Sequence, residues 1–145
     1  FRKQMNLLKP ENVLPHRPPF LFLTEVTGFE LGQWAEAFWI LDASEAFFSG
    51  HFPGRPTLPG VLMCESIAQL GAYLVLQDEK FHGKLPLFGG LDKGRFRRQV
   101  LPGETLDLRV EVSRLSSKGG KASGQASVNG ELACSAELMF VVVDS

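Results

Sequence analysis

The chain has 145 residues, 44% of them hydrophobic and 21% charged, with a formal net charge of -1. A chain of that size supports one hydrophobic core, and the composition excludes a disordered protein. Near-neutral charge removes any whole-molecule case for nucleic acid binding, so electrostatic recognition has to be local.

Residues 1–145 therefore read as one domain. Phe1 to Asn12 carries Met5, Leu7 and Leu8, enough for a short amphipathic helical turn. Leu14-Pro15-His16-Arg17-Pro18-Pro19 is barred from regular helix, because each proline lacks a donor and restricts the residue before it. Phe20 to Phe29 and Gln33 to Leu41 are rich in aromatic and branched residues and are predicted strands, with a turn flanked by Gly28 and Gly32. Ala43 to Pro59, punctuated by Gly50, Pro53, Gly54, Pro56 and Pro59, is predicted loop.

Gly60 to about Leu76 then runs without a proline and is apolar on nearly every face, which predicts a buried helix. Glu65, Ser66 and Gln69 interrupt it, so no uninterrupted apolar run reaches membrane-spanning length. From Leu85 onward the period changes to two, clearest where Leu106, Leu108, Val110 and Val112 alternate with Asp107, Arg109 and Glu111. Gly119-Gly120 and Asn129-Gly130 are hairpin turns that divide Leu106–Ser116, Lys121–Val128 and Leu132–Val143 into an antiparallel meander. The fold class is α+β, with a mostly antiparallel sheet of five to seven strands wrapped around one long helix. A single curved sheet leaves one side of such a helix open, so a second subunit is expected to close it. Cys64 and Cys134 lie in apolar segments and are expected to be buried free thiols, which suits a reducing compartment.

Three features carry possible chemistry. Glu65 sits in the second turn of the apolar helix, where an ionised carboxylate is costly unless paired, and Gln69 follows four residues on, on the same face. Spacing alone leaves a structural buried glutamate and a functional acid equally open. His51 stands in a loop stiffened by Pro53, Pro56 and Pro59, so its ring would be held in place for proton exchange. Pro59-Gly60 starts the helix, where unpaired backbone N–H groups at the positive end of the dipole could polarise a carbonyl. Lys93, Arg95, Arg97 and Arg98 put four cations in six residues, either a solvated strand face or a landing patch for an anionic partner. His16 and His82 carry little signal by themselves, and scattered histidines and cysteines offer no metal-ligand spacing.

Taken together, His51-Phe52-Pro53-Gly54-Arg55-Pro56, Pro59-Gly60-Val61-Leu62, Glu65 and Ala68-Gln69 resemble the FabZ-type 3-hydroxyacyl-acyl carrier protein dehydratases. Leu14-Pro15-His16-Arg17 with Pro19-Phe20-Leu21, Phe96-Arg97-Arg98 with Val100 and Pro102-Gly103-Glu104, and Ala136-Glu137-Leu138-Met139-Phe140 extend the resemblance in the expected order. The resemblance implies a hot-dog fold, a homodimer at least and commonly a trimer of dimers. It implies dehydration of 3-hydroxyacyl-acyl carrier protein to the trans-2-enoyl product in fatty acid biosynthesis, with no cofactor. In such an enzyme His51 is the base at the α-carbon and Glu65 helps the hydroxyl leave. Gly60 N–H holds the thioester carbonyl, Gln69 orients Glu65, and Lys93, Arg95, Arg97 and Arg98 dock the carrier protein. The family builds each site from His51 of one subunit and Glu65 of the other.

Two departures stand out. Pro18 occupies a position where the family often has Tyr, and Thr24-Glu25 one where it often has an Asp-Arg pair. Both leave room for a polyketide or polyene pathway in place of housekeeping elongation. The isomerising relatives have Asp at the position of Glu65, so Glu65 favours simple dehydration. A hot-dog acyl thioesterase is the rival chemistry, although it has no need of the His-Phe-Pro-Gly loop. The expected setting is cytoplasmic, or a plastid-type organelle if a targeting segment preceded Phe1, with no membrane insertion.

Overall fold

A computed structural model describes residues 7–145. Strands β1 (Glu25–Glu30) and β2 (Trp34–Ile40) lead into a short helix α1 (Ala46–Gly50) and the long helix α2 (Gly60–Leu76). Strands β3 (Lys84–Phe96), β4 (Thr105–Ser116), β5 (Gly119–Val128) and β6 (Glu131–Asp144) follow. They form one six-stranded antiparallel sheet in the order β1-β2-β4-β5-β6-β3, so β3 crosses to the far edge and pairs with β6. The sheet wraps α2, which touches β2 through β6, and this is a hot-dog fold. Among the described residues no helix is long and apolar enough to cross a membrane.

The inward face of the sheet explains how closely the helix sits. Leu106, Leu108 and Val110 of β4 point inward, whereas β5 contributes the small residues Ala122, Gly124 and Ala126 before Val128 at its end. At Gly124 the helix presses hardest, since a Cβ there would overlap Ile67 Cγ2. Ile67, Leu70 and Leu74 of α2 are essentially inaccessible. Each contributes about 1.5–3 kcal/mol by leaving water.

The predicted helix and the three-stranded meander appear nearly at their predicted bounds. Of the turn predicted over Phe1–Asn12, residues 1–6 lie outside the described part, and Pro10–Asn12 forms a turn of 3-10 helix. Two segments differ. Phe20 to Thr24 is not strand, because the Phe22 N–H donates to Gln69 Oε1 at 2.8 Å and the Phe22 carbonyl accepts from Ser66 Oγ at 2.7 Å. Helix side chains have taken the backbone groups that a strand partner would have used. The predicted loop Ala43–Pro59 contains α1, anchored by Phe48, which is buried beside Phe47, itself packed on Trp39.

Candidate active site

Glu65 lies on the side of α2 that the sheet leaves open. Val61, Glu65 and Ala68, at helical spacing, are less buried than their neighbours and form that stripe. The carboxylate is therefore not sealed in the interior, as the apolar helix predicted, but 20% exposed at the wall of a small cavity. Otherwise the cavity is mainly apolar, lined by Ala68, Gly71, Ala72, Leu87, Leu138 and Phe140 among others. That lining suits hydrocarbon, with the Glu65 carboxyl as its polar end.

Gln69 fixes the carboxyl as expected from its spacing. Its Nε2 donates to Glu65 Oε2 at 3.0 Å and to the Phe20 carbonyl at 3.0 Å, while its Oε1 accepts the Phe22 N–H. All of the amide's main hydrogen-bonding capacity is thus used, and the residue is 1% exposed. The second side chain at Glu65 is His16, whose Nε2 stands 3.7 Å from Oε2. His16 lines the same cavity. Sequence reasoning missed it, and no periodicity links the proline-rich segment to a helix so far along the chain.

His51 is held from two directions. It follows α1 as its C-terminal cap, with its N–H on the Phe47 carbonyl at 3.0 Å, and its ring lies 4.2 Å from that of Phe52. Its Nδ1 is 2.9 Å from the Thr57 carbonyl. A carbonyl can only accept, so Nδ1 carries the hydrogen and the neutral ring presents Nε2 as its basic nitrogen. Thr57 is itself anchored, its Oγ1 donating to Val100 O at 3.3 Å and the next N–H, of Leu58, to the same carbonyl at 2.8 Å. His51 is not among the residues lining the cavity that Glu65 faces.

Gly60 begins α2 without a side-chain cap. Its missing side chain serves a close approach, because a Cβ would stand 2.8 Å from Phe96 Cε1. Gly60 and Phe96 share an open hollow with Thr57, Val61, Arg97 and Arg98. The basic cluster divides. Arg98 is committed to Glu104, at 3.1 and 2.9 Å, and to Glu131 at 3.3 Å, while Glu104 also accepts the Leu101 N–H. Lys93, at the left-handed position of a bulge in β3, reaches Glu137 at 3.6 Å. Arg95 and Arg97 are exposed and make no ion pair among the described residues.

The model of the FabA-like domain matches residues 14–137, from the proline-rich segment into β6. The chain belongs to the FabA-like family. Within that family it is 46% identical over 134 residues to the 3-hydroxyacyl-[acyl-carrier-protein] dehydratase FabZ of Staphylococcus aureus strain JH9, covering 92% of each chain. The same protein of strain Newman matches equally. Among solved structures, a dehydratase heterocomplex from Xenorhabdus doucetiae superposes with a TM-score of 0.81 over 97% of this chain and 93% of that one, at 18% identity. A thioesterase from Haemophilus influenzae gives 0.59 over 83% of this chain and 78% of that one, also at 18% identity. These structures share the fold of this FabA-like chain. The fold alone does not choose between the two reactions.

The two cysteines of this FabA-like chain are free and buried, as expected. The neighbouring Cys64 thiol and burial together push the Cys134 thiol above the ordinary range, which keeps it protonated and a poor nucleophile. Among the described residues no three His, Cys, Asp or Glu side chains converge as metal ligands.

Proposed function

We propose that this chain is a 3-hydroxyacyl-acyl carrier protein dehydratase of fatty acid biosynthesis, working as a homo-oligomer in which each active site spans two protomers. The observation that carries this reading is one acid–base pair divided between two half-sites. Glu65 waits at the end of an apolar cavity with Oε2 held by Gln69, and His51, outside that cavity, offers Nε2 with Nδ1 committed to Thr57. A second copy supplies the missing half of each.

The edge of the sheet supports the assembly. Strand β3 is 13 residues long, has a neighbour on one side only, and exposes Leu87, Phe88 and Leu91. An edge of that length and apolarity invites pairing. Two copies joined along β3 continue the sheet and cover the open side of each α2. The two free, buried thiols fit a reducing compartment such as the cytoplasm.

In the reaction, the thioester carbonyl sits at the N-terminus of α2 and is polarised by the Gly60 N–H. His51 Nε2 takes the α-proton, the electrons of that C–H bond become the new carbon–carbon double bond, and the C–O bond at the β-carbon breaks. The departing hydroxyl takes the proton of the Glu65 carboxyl and leaves as water. The apolar cavity keeps the acyl chain and competing water apart. Arg95 and Arg97, with Lys93 beside them, offer the anionic carrier protein its landing patch.

Mixing two inactive variants tests the reading. His51→Ala and Glu65→Gln each nearly abolish hydration of a crotonyl thioester while the oligomer stays intact. Dissociated and reassociated together, they regain about a quarter of wild-type turnover, because half the dimers are mixed and each holds one intact site. No recovery would place both groups in one protomer, and normal turnover in either variant alone would remove the assigned roles.

A further inference from the structure

The dehydration reading leaves Glu65 without its proton after each turnover, and nothing in that reading says where the next one comes from. We propose that His16 returns it, acting on the reaction through Glu65. This inference rests on the dehydratase reading of the site.

Position is the first argument. His16 Nε2 lies 3.7 Å from Glu65 Oε2, the oxygen that Gln69 also holds. That is an ion-pair distance, longer than a hydrogen bond, and a small rotation of the carboxyl closes it. His16 and Glu65 are the two ionisable groups among the residues lining the cavity. Within this protomer the imidazole is therefore the one ionisable side chain that shares the cavity with the carboxylate. One quarter of the His16 side chain is still exposed, so the ring keeps contact with bulk water.

The second argument is that packing does not explain this histidine. Its Nδ1 is buried and finds no hydrogen-bond partner among the described residues, which makes it less stable there than an apolar side chain of similar size. The segment that carries it is nevertheless fixed. Arg17 Nη1 donates to the carbonyls of Leu14 at 2.8 Å and His16 at 2.7 Å, and Gln69 and Ser66 tie down Phe20 and Phe22 just beyond. The same glutamine that orients Glu65 therefore also fixes the loop presenting His16 to it.

Glu65 loses its proton to the departing hydroxyl. The His16 Nε2–H bond then breaks, that proton goes to Glu65 Oε2, and the neutral imidazole regains one from solvent as His51 releases the α-proton to it, so no net proton is gained or lost. In hydration the same path runs backwards.

The test compares wild type, His16→Asn and His16→Ala on 3-hydroxybutyryl pantetheine thioester, with and without added imidazole. Both variants are expected to lose about 10- to 100-fold in kcat, with KM within about twofold of wild type. Imidazole restores the kcat of His16→Ala in proportion to its concentration and leaves wild-type kcat unchanged. Full kcat in His16→Asn overturns the proposal, as does a loss that appears in KM or that imidazole fails to relieve. A wild-type kcat that rises with imidazole overturns it without any variant, since bulk buffer would then be the donor. Absence of wild-type turnover would instead sink the dehydratase reading, and this proposal with it.

Discussion

Gln69 and Glu65 are joined by a 3.0 Å hydrogen bond in which the glutamine is the fixed partner. Its amide is already anchored to Phe20 and Phe22, so the carboxyl is oriented by a group that cannot follow it. Replacing Gln69 by Leu keeps the size of the side chain and strands the Phe22 N–H and the Phe20 carbonyl. Two such groups cost about 2–6 kcal/mol. The urea midpoint is therefore expected to fall and kcat to fall with it, while Gln69→Ala shows the same loss with an added cavity. Unchanged stability in Gln69→Leu would mean that the segment is held elsewhere.

Gly71 lines the cavity wall, and a Cβ built there meets nothing within 4 Å. A glycine inside a helix costs about 1 kcal/mol against alanine, so Gly71→Ala is expected to raise the melting temperature. Gly71→Leu goes further and fills the space meant for the acyl chain. Its kcat/KM for a ten-carbon substrate is expected to drop at least about tenfold against a four-carbon one, since each methylene in such a pocket is worth about 1–3 kcal/mol. An equal drop for both lengths would show that the chain does not run past Gly71.

Much of this arrangement was legible in the residues. Pro59 and the polar run after Leu76 bracket α2, and the paired turn residues at Gly119-Gly120 and Asn129-Gly130 fix the meander, because both signals are local. Glu65 and Gln69 could be paired from helical spacing alone. What stayed hidden depends on side chains distant in sequence. Phe20 to Thr24 looks like strand until Ser66 and Gln69 occupy the Phe22 backbone, and His16 looks idle until that same segment is pressed against α2. The edge position of β3 was equally hidden, since alternation marks a strand's faces and not its neighbours. Arg98 carries the same charge as Arg97, and only the fold shows that Glu104 and Glu131 already occupy it.

Tyr73, the chain's single tyrosine, gives a direct view of the core. It is fully buried, with its hydroxyl donating to the Leu8 carbonyl at 2.7 Å. Burial raises the phenol above its ordinary value of 10.0, more than the bond to Leu8 lowers it. The folded state therefore binds this proton more tightly than the unfolded chain, so the stabilisation is complete below about pH 10 and is lost as the pH rises through the folded value. Absorbance at the phenolate band is expected to titrate later in the native protein than in denaturant. Tyr73→Phe is expected to flatten the alkaline loss of stability, and an identical midpoint in both states would contradict the burial.

Arg97 and Arg98 separate carrier docking from structure. Arg97 is exposed and makes no ion pair among the described residues, whereas Arg98 is 21% exposed and held by two glutamates. Arg97→Glu reverses a charge on the proposed landing patch and removes no internal contact. It is expected to raise KM about tenfold for carrier-linked substrate, more so at low salt, and to leave a short free thioester unaffected. Arg98→Glu sets a third carboxylate against Glu104 and Glu131 and disturbs the group that accepts the Leu101 N–H. Its melting temperature is expected to fall, and both substrates should suffer together. If Arg97→Glu weakened the free thioester as much as the carrier-linked one, the patch would be part of the acyl site and the carrier would dock elsewhere.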